Sequence, residues 1–183
     1  MGHTATFALA GGPLGGTIDY YRPHLESVFY VPFGRRMSLG VRAAAAAVGS
    51  YASTRVLPTD LRYFMGGENQ IRGYDVLSVG PVDGLGRAVG GNKFGLFNAE
   101  YYFDVFGPVR ALAFFDAGQA FLEGEPIDPR KFRISTGAEL RVTVPVLNVP
   151  FRLIYAVNPN RQGFYEQHYT PRSTFKFAIG TTF

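Results

Sequence analysis

Between residues 131 and 144, KFRISTGAELRVTV, polar and apolar side chains alternate along the chain. Lys131, Arg133, Ser135, Gly137, Glu139, Arg141 and Thr143 take the odd positions. Phe132, Ile134, Ala138, Leu140, Val142 and Val144 take even ones. A period of two separates the two faces of an extended backbone, so this pattern predicts a strand. At about 14 residues it is much longer than the usual five or six. The closing segment 173–183, STFKFAIGTTF, repeats the pattern. Phe175, Phe177, Ile179 and Phe183 share one face, and Thr174, Lys176, Ala178, Gly180 and Thr182 share the other. In 35–48 Met37, Leu39, Val41 and Ala43 oppose Arg36, Ser38, Gly40 and Arg42. In 17–32 Tyr21, Leu25, Phe29 and Val31 oppose Arg22, His24 and Glu26. Further strands are expected at about 4–10, 92–103, 109–120 and 150–157, and no window sustains a helical period of 3.6.

The connections alternate in length. Those near 33–35, 104–108 and 145–150 are short, and 49–91, 121–130 and 158–172 are long. Eight long strands with short and long connections in turn predict an all-β, antiparallel transmembrane β-barrel occupying 1–183 as one domain. The reason lies in the backbone. In hydrocarbon each unpaired N–H or C=O costs several kcal/mol, so a sheet there must close. A soluble barrel would reverse the polarity, with apolar faces inside. Strand length, aromatics at strand ends (Phe103, Phe121, Phe183) and mid-strand arginines favour the membrane form.

Composition agrees. Charged residues make up 17% of the chain, below the roughly 25% of average soluble domains, and 17 Phe and 11 Tyr accompany 23 Gly. The absence of cysteine excludes disulfides, cysteine nucleophiles and thiolate metal sites. A net charge of +4, with basic residues scattered, gives no nucleic-acid stripe. No apolar run reaches the ~18 residues of a membrane helix, and the first residues, MGHTATFALAGGPLG, lack the basic start of a signal peptide.

The longest connection, 49–91, contains GGENQIRGYD. Its aliphatic and aromatic side chains argue for order, and its glycines permit close packing of backbone against a wall. Arg72 would then enter the polar interior, where a guanidinium needs acceptors for its five donors. Parity offers two carboxylates on adjacent strands, Glu100 beside Asn98 and Asp116 in FFDAGQAF. One expectation is that Arg72 bridges Glu100 and Asp116. The other is that Arg72 meets water while Asp116 pairs with Arg110 or Arg133.

These residues resemble the inward-folded loop motif of BamA-type outer-membrane assembly factors, a superfamily (bacterial surface antigens) that includes TamA and the two-partner secretion transporters. The motif is the tetrad Ile71-Arg72-Gly73-Tyr74 after the pair Gly66-Gly67. Three blocks follow in order: GGNKFGLFNAEYYF at 90–103, FFDAGQAF at 114–121, and STFKFAIGTTF. The last resembles a terminal β-signal, with Phe175, Phe177, Ile179, Gly180 and Phe183 as its marks. The resemblance implies a sixteen-stranded barrel behind periplasmic POTRA domains, opening between its first and last strands to fold and insert β-barrel clients. It also implies that Arg72 meets acidic groups at Glu100 and Asp116, and that 173–183 is the mobile side of the gate. Only eight strands are present, with no POTRA segment. The chain is therefore expected to be half of such a barrel, a truncated form, or a small closed barrel of its own.

The implied setting is the bacterial outer membrane. The implied partners are membrane lipid, nascent β-barrel clients and accessory lipoproteins, with no cofactor, metal or nucleic acid. The alternatives are a passive outer-membrane pore, with Arg22, Arg36, Arg42, Arg133 and Arg141 lining it, and a two-partner secretion translocator. No enzyme is expected. His3, His24 and His168 lack metal spacing, and Ser50, Ser53, Ser78 and Ser173 lack a nucleophile-elbow context. A lipid-modifying barrel built on His168 and Ser173 is the weakest of the alternatives.

Overall fold

The computed structural model describes residues 1–145, 149–160 and 170–180, and the backbone of 164–165 and 168–169. The side chain of His168 and the whole of Phe183 lie outside the described residues. Among the described residues there are eleven strands: β1 (Gly2–Ala10), β2 (Tyr20–Phe33), β3 (Met37–Ala47), β4 (Gly49–Ser50), β5 (Lys93–Phe106), β6 (Val109–Phe121), β7 (Arg133–Val144), β8 (Val149–Val157), β9 (Phe164–Tyr165), β10 (His168–Tyr169) and β11 (Ser173–Ile179). Eight of them form one antiparallel meander in the order β1-β2-β3-β5-β6-β7-β8-β11, with β4 extending the pairing of β2. Bounds read from alternation agree with these to within about three residues, except in the closing strand, whose described part ends at Ile179. Alternation overlooked β4 and the small β9–β10 hairpin, because two-residue strands leave no periodic trace.

The sheet does not close on itself. β1 and β11 are its two ends and, among the described residues, do not pair with each other, so these strands do not make a self-closed eight-stranded barrel. They form an open section of barrel wall.

Each long strand sorts its side chains by parity. On one face Asn98, Glu100 and Tyr102 of β5, Leu112, Phe114 and Asp116 of β6, Ser135, Glu139 and Arg141 of β7, and Arg152, Ile154 and Ala156 of β8 are buried. On the other face Phe97, Tyr101, Phe103, Phe115, Leu140, Leu153, Tyr155, Phe175 and Phe177 are exposed. Buried charge on one face and bare aromatics on the other are the reverse of a soluble barrel, whose apolar side chains fill its interior.

What buries the polar face is the connection between β4 and β5. It runs back over the sheet as a tongue held by its own bridges, Tyr63 with Gly91 and Met65 with Val79. Ile71, Met65, Tyr74 and Val79 from the tongue pack with Ala44, Leu96 and Ala120 of the wall into one apolar cluster. Two glycines allow the tight path. Gly73 has φ +85°, and an added Cβ would sit 2.6 Å from Asn158 Oδ1 and 2.7 Å from Ala156 Cβ. Gly66 has φ +109°, and its Cβ would meet the Asp75 carbonyl oxygen at 2.2 Å. Gly67 continues the same left-handed path, and its N–H donates to the Tyr74 carbonyl at 3.1 Å.

Candidate functional site

The tip of the tongue, 68–74, delivers Arg72 into the polar face, where the guanidinium is fully buried. Three strands supply its acceptors. From β6, Asp116 takes the fork: Nε donates to Oδ2 and Nη2 to Oδ1, both at 2.7 Å, and the Arg72 backbone N–H adds a third bond to Oδ2 at 3.1 Å. From β5, Glu100 Oε1 accepts from Nη1 at 2.6 Å. From β7, Glu139 Oε2 accepts from the same nitrogen at 3.0 Å. The guanidinium carbon lies 3.8 Å from the centroid of the Phe114 ring, so its flat face is covered as well as its rim. The alternative partners of Asp116 are engaged elsewhere: Arg110 pairs with Asp104 at 2.6 Å, and Arg133 Nη1 donates to the Asn160 carbonyl at 3.4 Å.

A buried arginine facing three carboxylates would leave two negative charges uncompensated. Arg141 and Arg152 supply the balance. Arg141 donates to Glu100 Oε1 at 2.9 Å and to Glu139 Oε1 at 2.5 Å. Arg152 donates to Glu139 Oε1 at 2.6 Å and to Oε2 at 3.0 Å. Three acids and three arginines thus make a neutral cluster. This matters because several kcal/mol of desolvation per ion are offset only when every charge is paired and hydrogen-bonded. The remaining positions are filled by polar neighbours. Asn98 Nδ2 donates to Asp116 Oδ1 at 2.8 Å and to the Gln70 carbonyl at 2.7 Å, and the Tyr102 hydroxyl donates to Glu100 Oε2. Arg152 also reaches back to the tongue, to Asn69 Oδ1 at 3.0 Å and the Glu68 carbonyl at 3.1 Å.

Alternation and the family motif pointed to Arg72, Glu100 and Asp116, and the fold brings them together. The roles of Glu139 and Arg152 were not read from the sequence. Both occupy the inward parity of their strands, which is the one local signal available. Their convergence needs the register, in which Asp116 stands beside Asn98 and Ser135 while Glu139 stands beside Leu112 and Ile154.

The other motif residues support the arginine. Ile71 is buried in the apolar cluster. The Gly73 carbonyl accepts from Asn158 Nδ2 at 3.0 Å. The Tyr74 hydroxyl donates to the Asn160 carbonyl at 3.0 Å and lies 3.3 Å from that of Ile134. Burial pushes the Tyr74 hydroxyl up to about 12. In the closing strand Phe175, Phe177 and Ile179 are exposed on the outer face, Phe177 stacking on Phe151 at 5.8 Å. Gly180 follows with φ +108°.

A second knot fixes the base of the tongue. Asp19 accepts from the Ser53 hydroxyl at 2.5 Å, the Ser53 N–H at 2.9 Å and the Gly12 N–H at 2.7 Å. These bonds, that of the Ser53 hydroxyl foremost, hold its carboxyl below the ordinary value of 3.8.

Comparison with known proteins places this arrangement. The chain matches the model of the Omp85 superfamily domain over residues 3–183. It is 30% identical over 178 residues to the outer membrane protein assembly factor BamA of Nitratidesulfovibrio vulgaris, covering 94% of this chain and 22% of that protein. Against BamA of Neisseria meningitidis serogroup B it is 29% identical over 123 residues, covering 62% of this chain and 15% of the relative. Among solved structures, BamA from Haemophilus ducreyi lacking POTRA domains 1–3 superposes with a TM-score of 0.69 at 20% identity, covering 88% of this chain and 35% of the other. The chain therefore matches between 15% and 22% of the length of these curated relatives. An open antiparallel wall, a tongue folded onto its polar face and these matches together make the chain a member of the Omp85 superfamily, similar to part of BamA.

Proposed function

We propose that this chain forms the C-terminal half of an outer-membrane assembly barrel of the BamA kind, and that its work is to help nascent β-barrel proteins fold and enter the bilayer. The carrying observation is the fully buried Arg72 bound by carboxylates from three strands. A passive wall has no need of a tongue fixed this firmly across its polar face. On this reading the exposed aromatics of β5 to β11 face the hydrocarbon of the outer membrane. The strand ends β1 and β11 meet further wall strands or a client strand, since neither edge can stand unpaired in lipid. Accessory lipoproteins join at the membrane surface, and no step of the process is enzymatic. The pore reading has less support, because the seated tongue occupies the face along which ions would pass.

Reconstitution in proteoliposomes tests the proposal. The protein should accelerate folding of an added unfolded barrel client over empty vesicles. Steady single-channel conductance with no acceleration would replace this reading with a pore. Secretion of an exoprotein partner without client folding would replace it with a two-partner translocator.

A further inference from the structure

The tongue has a second anchor of a different kind. β11 ends the sheet. It pairs with β8 from Ser173 to Ile179, and its other edge has no partner among the described residues. Lys176 sits opposite Ile154, on the inward side of this strand. Its ammonium lies 3.0 Å from Asp75 Oδ1, 3.2 Å from the Tyr74 carbonyl and 3.2 Å from Glu68 Oε1. Glu68 precedes Arg72 and Asp75 follows it. One ammonium with three donors therefore ties both flanks of the motif to the edge strand.

The two anchors differ in their access to water. Arg72 and its three carboxylates are fully buried. The Lys176 side chain is 20% exposed, that of Glu68 26% and that of Asp75 72%. Salt therefore screens the Lys176 contacts and leaves the Arg72 contacts nearly untouched. Beyond Lys176, β11 is held by its ladder to β8, by the Phe151–Phe177 stack and by Ala178 packed against the buried cluster that includes Ile154 and Ala156. An edge strand with one neighbour is among the first elements of a sheet to open.

We infer that Lys176 is a positioning residue that couples the seated tongue to the free edge strand, so that β11 stays ordered only while residues 68–75 are docked. This rests on the proposed function only for its use, which is to let a change in the tongue loosen the edge beside which a client strand would enter. The coupling itself belongs to the chain.

Hydrogen exchange on the reconstituted full chain tests it. In Lys176→Met, amides of 173–179 should exchange about fivefold faster or more, and those of the tongue at 71–74 should rise in step because the coupling is reciprocal, while those of β5 and β6 stay within about twofold. Raising salt should speed exchange of β11 in the parent and have little effect in Lys176→Met. Lys176→Arg, which keeps a cation facing Glu68, Asp75 and the Tyr74 carbonyl, should retain most of the protection that Lys176→Met loses, which a merely structural role for the lysine stem would not predict. Unchanged exchange in β11 of Lys176→Met, a uniform rise across the sheet, or protection lost as fully in Lys176→Arg as in Lys176→Met would overturn the inference. No client is present in this measurement. Failure of client folding alone thus counts against the proposed function and leaves the coupling standing, whereas an unchanged β11 removes the coupling and leaves the function standing.

Discussion

Replacing Arg72 by alanine should release the tongue, and with it loosen the edge strand β11, without unfolding the rest of the wall. Four side-chain bonds are lost, but their consequences differ. Glu100 keeps Arg141 and Tyr102, and Glu139 keeps Arg141 and Arg152. Asp116 loses both arms of its fork and retains Asn98. Two charge-assisted bonds at about 1.5–3 kcal/mol each give about 3–6 kcal/mol. The penalty for a buried ion left unpaired, about 3–5 kcal/mol, points to the same range. At about 1.4 kcal/mol per decade, a loss of 3–5 kcal/mol raises the undocked population by roughly two to three and a half decades. The assay is exchange of amides 67–79, with limited proteolysis of the tongue as a second reading, while heat-modifiable migration of the barrel reports the wall. Adding Asp116→Asn to Arg72→Ala should recover part of the loss, because the stranded charge is then gone. A change of less than about threefold in tongue exchange, or a double variant worse than the single by the full cost of Asp116→Asn, would refute an account based on buried charge.

Three further outcomes follow from the same contacts. Gly73→Ala should undock the tongue as severely as Arg72→Ala, since its φ of +85° and the 2.6–2.7 Å approaches to Asn158 and Ala156 leave no room for a methyl group; proteolysis of the tongue reads this. Tyr74→Phe should weaken docking by about 1 kcal/mol, the worth of one buried hydrogen bond, seen as a several-fold rise in local exchange. The parent should also lose tongue protection as pH climbs from the ordinary tyrosine value of 10.0 through about 12, because the raised folded value favours the neutral hydroxyl, and Tyr74→Phe should lack that step. Asp19 behaves oppositely. Its depressed folded value means its contribution is complete above 3.8 and disappears as pH falls through the folded value, so amides of Gly12 and Ser53 should deprotect in acid, and Asp19→Asn should abolish that dependence.

Much of the wall could be read from the chain. The alternation in 131–144 placed Ser135, Glu139 and Arg141 on one side and Leu140 and Val142 on the other, and the fold keeps that division. Parity is a local property set by the two-residue repeat of an extended backbone, so a sequence shows it without knowledge of neighbours. The tongue was legible in part. Its glycines and apolar residues gave order, and Arg72 with Glu100 and Asp116 emerged from parity joined to the family motif. The knot at Asp19 gave no periodic signal, because its partners Ser53 and Gly12 come from two irregular connections.

The sequence alone thus determined which residues share a face of each strand, and with the family motif it offered Glu100 and Asp116 as partners of Arg72. Tertiary structure decided how many acids it meets and what balances them. Glu139 is 67 positions from Arg72, and Asn69 is 83 from Arg152. Contacts at that range depend on strand register and on where the tongue lands, neither of which leaves a mark in local periodicity. For the same reason only the fold shows Lys176, an ordinary inward lysine in the chain, reaching from the open edge of the sheet to both sides of the motif.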